Sequence, residues 1–146
     1  MSDQFTTSEA RRCACGNIRR TDRVLTQFYD EILAPSGLYV TQFTTLATLA
    51  EAAAPISINH LAELLVMDRT TLTRNLELLR KQHLVRIEEG QDRRMRLVFL
   101  TQEGEQALRR AWPLWQEAQA RIERALGRER FEGLLVDLSA VLAAAS

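Results

Sequence analysis

Arg69, Thr70, Thr71, Thr73 and Arg74 place five polar side chains within six consecutive positions, and a second basic group, Arg93 and Arg94, follows Asp92 further along. These residue types suit recognition rather than catalysis. An arginine can make two parallel hydrogen bonds to a guanine edge, and a threonine can touch a thymine methyl or a phosphate. The other chemically active side chains are sparse. His60 and His83 form no close-spaced pair with each other or with Cys13 and Cys15, so no metal site is expected. There is no glycine-rich phosphate loop, no His-Glu-x-x-His and no plausible nucleophile–base pair, so neither catalytic residues nor a cofactor are expected.

Charge is arranged to match. The chain has 146 residues, 19 Lys and Arg against 19 Asp and Glu, and a net charge of zero. Residues 1–68 hold five basic against eight acidic residues, residues 69–100 eight against four, and residues 101–146 six against seven. The excess positive charge sits on the segment that carries the threonines and arginines, the footprint of a surface for a polyanion. No apolar run is long enough to span a membrane. The opening MSDQFTTSEARR lacks an apolar stretch, so the expected address is cytoplasmic. Two cysteines are too few for a disulfide framework.

The elements that must position these side chains follow from periodicity. Residues 1–7 are polar and expected to fray. Ile18, Leu25, Phe28 and Ile32 recur at helical spacing between Ser8 and Leu33, and Ala34-Pro35-Ser36-Gly37 stops that helix. A second helix is expected after Thr41 as its cap, ending near Pro55. Ser57 can cap a third, short helix containing Leu61, Leu64 and Leu65. Val66-Met67 turn the chain, and Asp68 can cap a fourth helix by accepting from the N–H of Thr70 or Thr71. Leu72, Leu76, Leu79 and Leu84 supply its buried stripe, with Leu78 near the same face. Two β-prone runs, Leu84–Ile87 and Arg96–Leu100, flank a charged tip and read as a hairpin. Thr101 caps a long helix to about Leu126, where Pro113 predicts a kink, and Gly127 separates it from a last helix over Arg128–Ala145.

Helix, tight turn, helix and hairpin, in that order, is a winged helix-turn-helix. The fold class is therefore mostly α with a small β-hairpin wing, a single domain over 1–146. Residues 56–100 form the DNA-binding lobe, and residues 8–55 and 101–146 are largely helices for dimerisation. The terminal helices exceed what so small a core needs, and their apolar stripes would be buried against a second copy. A two-fold homodimer sets two recognition helices about one DNA turn apart, matching a palindromic double-stranded site.

The ordered set Tyr29-Asp30-Glu31-Ile32-Leu33, Gln42-Phe43, Leu61-Ala62-Glu63-Leu64-Leu65, Asp68–Arg74, Leu79–Val85 and Asp92-Arg93-Arg94 before Leu97–Thr101 resembles the MarR family of bacterial transcription regulators over nearly the whole chain. The resemblance implies an obligate homodimer on a palindromic operator, with repression relieved by a small signal. It puts Arg69, Thr70, Thr71, Thr73 and Arg74 on the recognition helix. It also implies that Asp92 orients Arg94 into the minor groove, where a narrow A·T-rich groove attracts an arginine. A plain surface ion pair between Asp92 and Arg94 is the alternative.

For the signal, the resemblance points to a crevice between the dimerisation helices and the DNA-reading lobe. Arg19, Tyr39, Phe43 and Trp112 are its candidate lining for a small aromatic or anionic effector; ordinary core and surface roles are the alternative. A second expectation comes from the peroxide-sensing branch, which Cys15 and Tyr29 resemble in spacing. That branch has a second tyrosine in register with Val40, whereas Tyr39 lies one residue off. Cys13 and Cys15, two apart, are expected on opposite sides of a helix and unable to form a disulfide with each other. A winged-helix module that binds protein rather than DNA is the remaining alternative.

Overall fold

The computed structural model describes residues 7–146, so the polar start expected to fray falls outside it except for Thr7. The first helix is divided into α1 (Thr7–Ala10) and α2 (Ala14–Leu33). At the break Cys13 leaves helical geometry, with ψ at 117°, and its Sγ accepts from the Gly16 N–H at 3.5 Å. Asn17 closes the step by donating its amide to the carbonyls of Arg11 (2.8 Å) and Cys13 (2.9 Å). A side chain reaching back to loose carbonyls competes with continued helix.

A 3-10 turn over Ala34–Ser36 ends at Gly37, whose φ of 78° needs a residue without a Cβ. α3 (Val40–Ala52) then starts earlier than a Thr41 cap implies. Its first amides are held by side chains instead. Gln42 Oε1 accepts from the Tyr39 N–H at 3.0 Å, and Asp30 of α2 accepts from the Val40 N–H at 2.7 Å.

The expected caps of the next two helices are present. Ser57 Oγ accepts from the His60 N–H at the start of α4 (Ile58–Leu65), and Asp68 caps α5 (Arg69–Lys81). α5 ends at Lys81, so Leu84 contributes to the core from beyond the helix, after His83 turns through φ 60°. Leu78 is 53% exposed and lies on the outer side, away from the buried stripe of Leu72, Leu76 and Leu79.

β2 (Val85–Glu89) and β3 (Arg96–Leu100) pair antiparallel with Arg86 opposite Phe99. A two-residue strand β1 (Ile56–Ser57) joins the other edge of β3, giving the order β1-β3-β2. The wing is thus tied back to the entry of α4, an addition to the expected hairpin. The Arg86 guanidinium lies 4.5 Å over the Phe99 ring on the outer face of this sheet.

α6 (Gln102–Leu126) runs without interruption through Pro113, and α7 (Arg128–Ala145) follows Gly127. The core gathers Leu33, Leu46, Leu61, Leu72, Leu76, Leu79 and Val98, all fully buried, with Ala107 and Ala111 of α6 packed against them. Truncating such a leucine to alanine costs about 2–5 kcal/mol, so α5 is fixed on the lobe by three separate anchors. α7 packs on α6 and buries none of its own side chains. No helix among the described residues is long and apolar enough to cross a membrane.

Candidate nucleic-acid interface

The expected recognition residues lie at the start of α5, and all five are exposed. Asp68 sets that helix end: one carboxylate oxygen accepts from the Thr71 N–H at 2.9 Å and the other from the Thr71 hydroxyl at 2.6 Å. The hydroxyl bond, then the backbone bond, hold the Asp68 carboxyl below its usual range. Thr71 is therefore occupied within the protein. Arg69, Thr70, Thr73 and Arg74 remain free to face outward, and a shallow cleft along α5 joins them to Glu77 and Lys81. Those last two were not singled out in the sequence, although the same i, i+3, i+4 spacing that aligns Thr70, Thr73 and Arg74 also reaches them.

The turn before α5 is tight. Val66 adopts a left-handed conformation (φ 50°, ψ 48°), and its N–H and that of Met67 return to the end of α4. Asn75 donates to Met67 Sδ at 3.6 Å, which ties α5 back to the turn that precedes it.

The wing tip is ordered by Asp92. Its side chain accepts from the Arg94 backbone N–H at 3.0 Å, and its carbonyl accepts from the Met95 N–H at 2.8 Å. Gly90 N–H then donates to the Met95 carbonyl at 2.7 Å and closes the hairpin. The carboxylate thus fixes the backbone that carries Arg94. Among the described residues no carboxylate lies within ion-pair distance of Arg94, nor of Arg69, Arg74 or Arg93. Arg69 from α5, Arg94 and Arg96 from the wing, and Asn59 from α4 border one cleft of about 220 Å³. Uncommitted guanidiniums on two elements around one cleft can hold phosphate oxygens, and those at the start of α5 can reach base edges.

The candidate effector residues are only partly gathered. Phe43 is buried and its ring lies 6.0 Å from Trp112, which is 45% exposed. Trp115, not foreseen for this site, stacks on Phe43 at 5.5 Å and completes the aromatic group. Tyr39 precedes α3 and is 63% exposed, while Arg19 lies in the exposed first half of α2 without hydrogen bond, ion pair or cation–π contact among the described residues.

Both cysteines are exposed and unpaired, and only Cys15 is within the helix. Tyr29 is turned to α6, where its hydroxyl donates to Gln119 at 2.6 Å, and burial raises its pKa. Among the described residues no group of three or more His, Cys, Asp or Glu side chains is placed to hold a metal.

The comparisons with known proteins agree with this geometry. Residues 36–95 match a model of the MarR family. An uncharacterized HTH-type transcriptional regulator, YwoH of Bacillus subtilis (strain 168), is 31% identical over 88 residues, which is 60% of this chain and 64% of that protein. The match therefore spans less than two thirds of that relative. The M. tuberculosis transcriptional regulator MosR, solved in complex with DNA, is 40% identical with a TM-score of 0.77, covering 90% of this chain and 98% of its own. A MarR variant from E. coli, solved with operator DNA, is 26% identical with a TM-score of 0.81, covering 97% and 99%.

Proposed function

The chain belongs to the MarR family of DNA-binding transcription regulators, which are not enzymes, and from that premise we propose that it acts as a homodimeric repressor of a palindromic operator. The observation that carries this reading is a run of exposed arginines without carboxylate partners among the described residues: Arg69 shares one cleft with Arg94 and Arg96 of the wing and a second, along α5, with Arg74, and Arg93 stands at the wing tip. Arg69, Thr70, Thr73 and Arg74 read or anchor the major groove. Arg94, carried on the turn that Asp92 fixes, enters the neighbouring minor groove.

Residues 56–100 form the reading lobe. The terminal helices, residues 8–55 and 101–146, provide the contact between copies. The exposed Leu134, Leu135, Leu138 and Leu142 of α7 support that division, because a leucine stripe of this kind is stable in water when a second apolar face covers it. A small aromatic or anionic effector seated against Phe43 and Trp112, with Tyr39 and Arg19 at the approaches, releases the operator.

A second reading of the signal rests on the cysteines. Cys15 and Cys13 are both exposed, so an oxidant has access to either thiol without unfolding. In that case oxidation, not a ligand, releases DNA. Tyr29 supports this reading less, since its hydroxyl is engaged with Gln119 of the same chain.

The test is selection of bound DNA from a random double-stranded pool, followed by affinity measurements at several salt concentrations. An enriched palindrome whose binding falls steeply with salt is expected, because each phosphate contact releases counterions. No enriched sequence, with weak and salt-independent binding, would instead favour a winged helix used for protein contacts. Challenging the complex with aromatic acids and with an organic peroxide separates the two signals.

A further inference from the structure

Glu77 stands on the outward face of α5 and shares its cleft with Thr70, Thr73, Arg74 and Lys81. Its side chain is 44% exposed, and its carboxylate is held in a two-pronged pair by Arg80, with Nε at 2.9 Å from one oxygen and Nη2 at 2.7 Å from the other. Lys81 and Arg96 add attraction from farther away. The Arg80 bond foremost keeps the carboxyl below its usual range, so the group is an anion at neutral pH with a fixed direction.

An exposed Glu–Arg pair on a helix contributes little to stability. On this face it also has a cost. A carboxylate placed against a phosphate-lined groove adds repulsion that the Arg80 charge offsets in part and that a base-edge donor can offset further. In the major groove, guanine offers acceptors and thymine an acceptor and a methyl. Cytosine offers the N4 amino group, the donor a carboxylate can accept from. Adenine offers a donor beside an acceptor, a pair that suits an amide but leaves a carboxylate facing N7.

We infer that Glu77 is a specificity-determining residue, accepting from the N4 amino group of one cytosine in each half-site and penalising other bases there. The inference rests on the DNA-binding reading above. It gives Arg80 the part of a positioning residue that aims the carboxylate.

The test is selection from a random double-stranded DNA pool with the full-length wild-type chain and with Glu77→Gln and Glu77→Ala, with melting temperatures taken alongside. The position is half exposed, so neither substitution opens the core. Wild type is expected to favour cytosine at one position per half-site by roughly tenfold or more, the discrimination one good base contact gives. Glu77→Gln should move that position to adenine, and Glu77→Ala should leave it without preference. Both variants should bind random-sequence DNA more tightly than wild type. A purely structural pair predicts lower melting temperatures with every base preference intact, and that result overturns the inference. Failure of the wild-type chain to enrich any sequence overturns the DNA reading and this inference together, whereas enrichment that the variants share unchanged overturns this one alone.

Discussion

Gly104 lies so close to the Leu84 backbone that a Cβ added to it would come within 2.1 Å of the Leu84 carbonyl oxygen and 2.7 Å of a Leu100 methyl. Around this contact the Thr101 hydroxyl donates to the His83 carbonyl at 2.7 Å, and the Thr101 N–H donates to Leu84 O at 3.2 Å. The start of α6 is thereby joined to the segment where α5 passes into the wing. Gly104→Ala should destabilise the protein by about 1–3 kcal/mol, the usual penalty for overfilling a packed site, because backbone has to yield. Chemical denaturation checks it, and an unchanged midpoint would show that the junction is slack.

Asp68 gives a pH dependence with a definite sign. Its folded carboxyl is held below its ordinary range by Thr71. The stability it contributes is therefore fully present above the unfolded value of about 4 and is lost as pH falls through the lower folded value. Melting of wild type and Asp68→Ala, compared from neutral pH downward, should differ by a constant amount to about pH 5 and converge in stronger acid. A gap that widened on acidification would be inconsistent with this cap.

Asp92 offers a test of which atom it serves. Its side chain accepts from the Arg94 N–H and makes no ion pair with the guanidinium. Asn can supply the same acceptor oxygen, so Asp92→Asn should bind DNA nearly as wild type does, while Asp92→Ala should loosen the wing and bind more weakly. Equal losses in both variants, measured by fluorescence anisotropy, would return the role to the negative charge.

Val66 stores strain. A β-branched residue at φ 50° is placed where glycine is at ease, and its side chain is 63% exposed, so little packing is lost by removing it. Val66→Gly should stabilise the fold by about 1 kcal/mol after the added chain entropy of glycine is counted. A lower melting temperature would mean that the valine side chain makes contacts worth more than the strain.

The parts of the fold legible in the sequence are those governed by local chemistry. Ser57, Asp68 and Thr101 all cap the helices they were expected to cap, since each needs only an amide two or three residues away. The stripe of Leu72, Leu76 and Leu79 is equally local. What escaped depends on distant partners. The start of α3 is fixed by Asp30, ten residues back, so the nearer Thr41 misleads. β1 has two residues and no periodicity to read; only β3 makes it a strand. The single helix expected from Ser8 is broken by Asn17 reaching back to Arg11 and Cys13. In the site, the arginines and threonines stand out by type, whereas the hydrogen bond from the Thr71 hydroxyl to Asp68 depends on the cap geometry and is not read from type alone. Trp115 stacks on Phe43 across the contact between α3 and α6, a partnership that local spacing does not reveal.

The unburied leucines of α7 have a thermodynamic consequence. The chain has no net charge to keep identical copies apart, and α7 presents Leu134, Leu135, Leu138 and Leu142 to whatever approaches. Were a second copy to cover that stripe, as proposed above, folding and assembly would become one equilibrium, and stability would rise with protein concentration by mass action. The number of copies in the cell would then set how much of the protein is competent to bind at all.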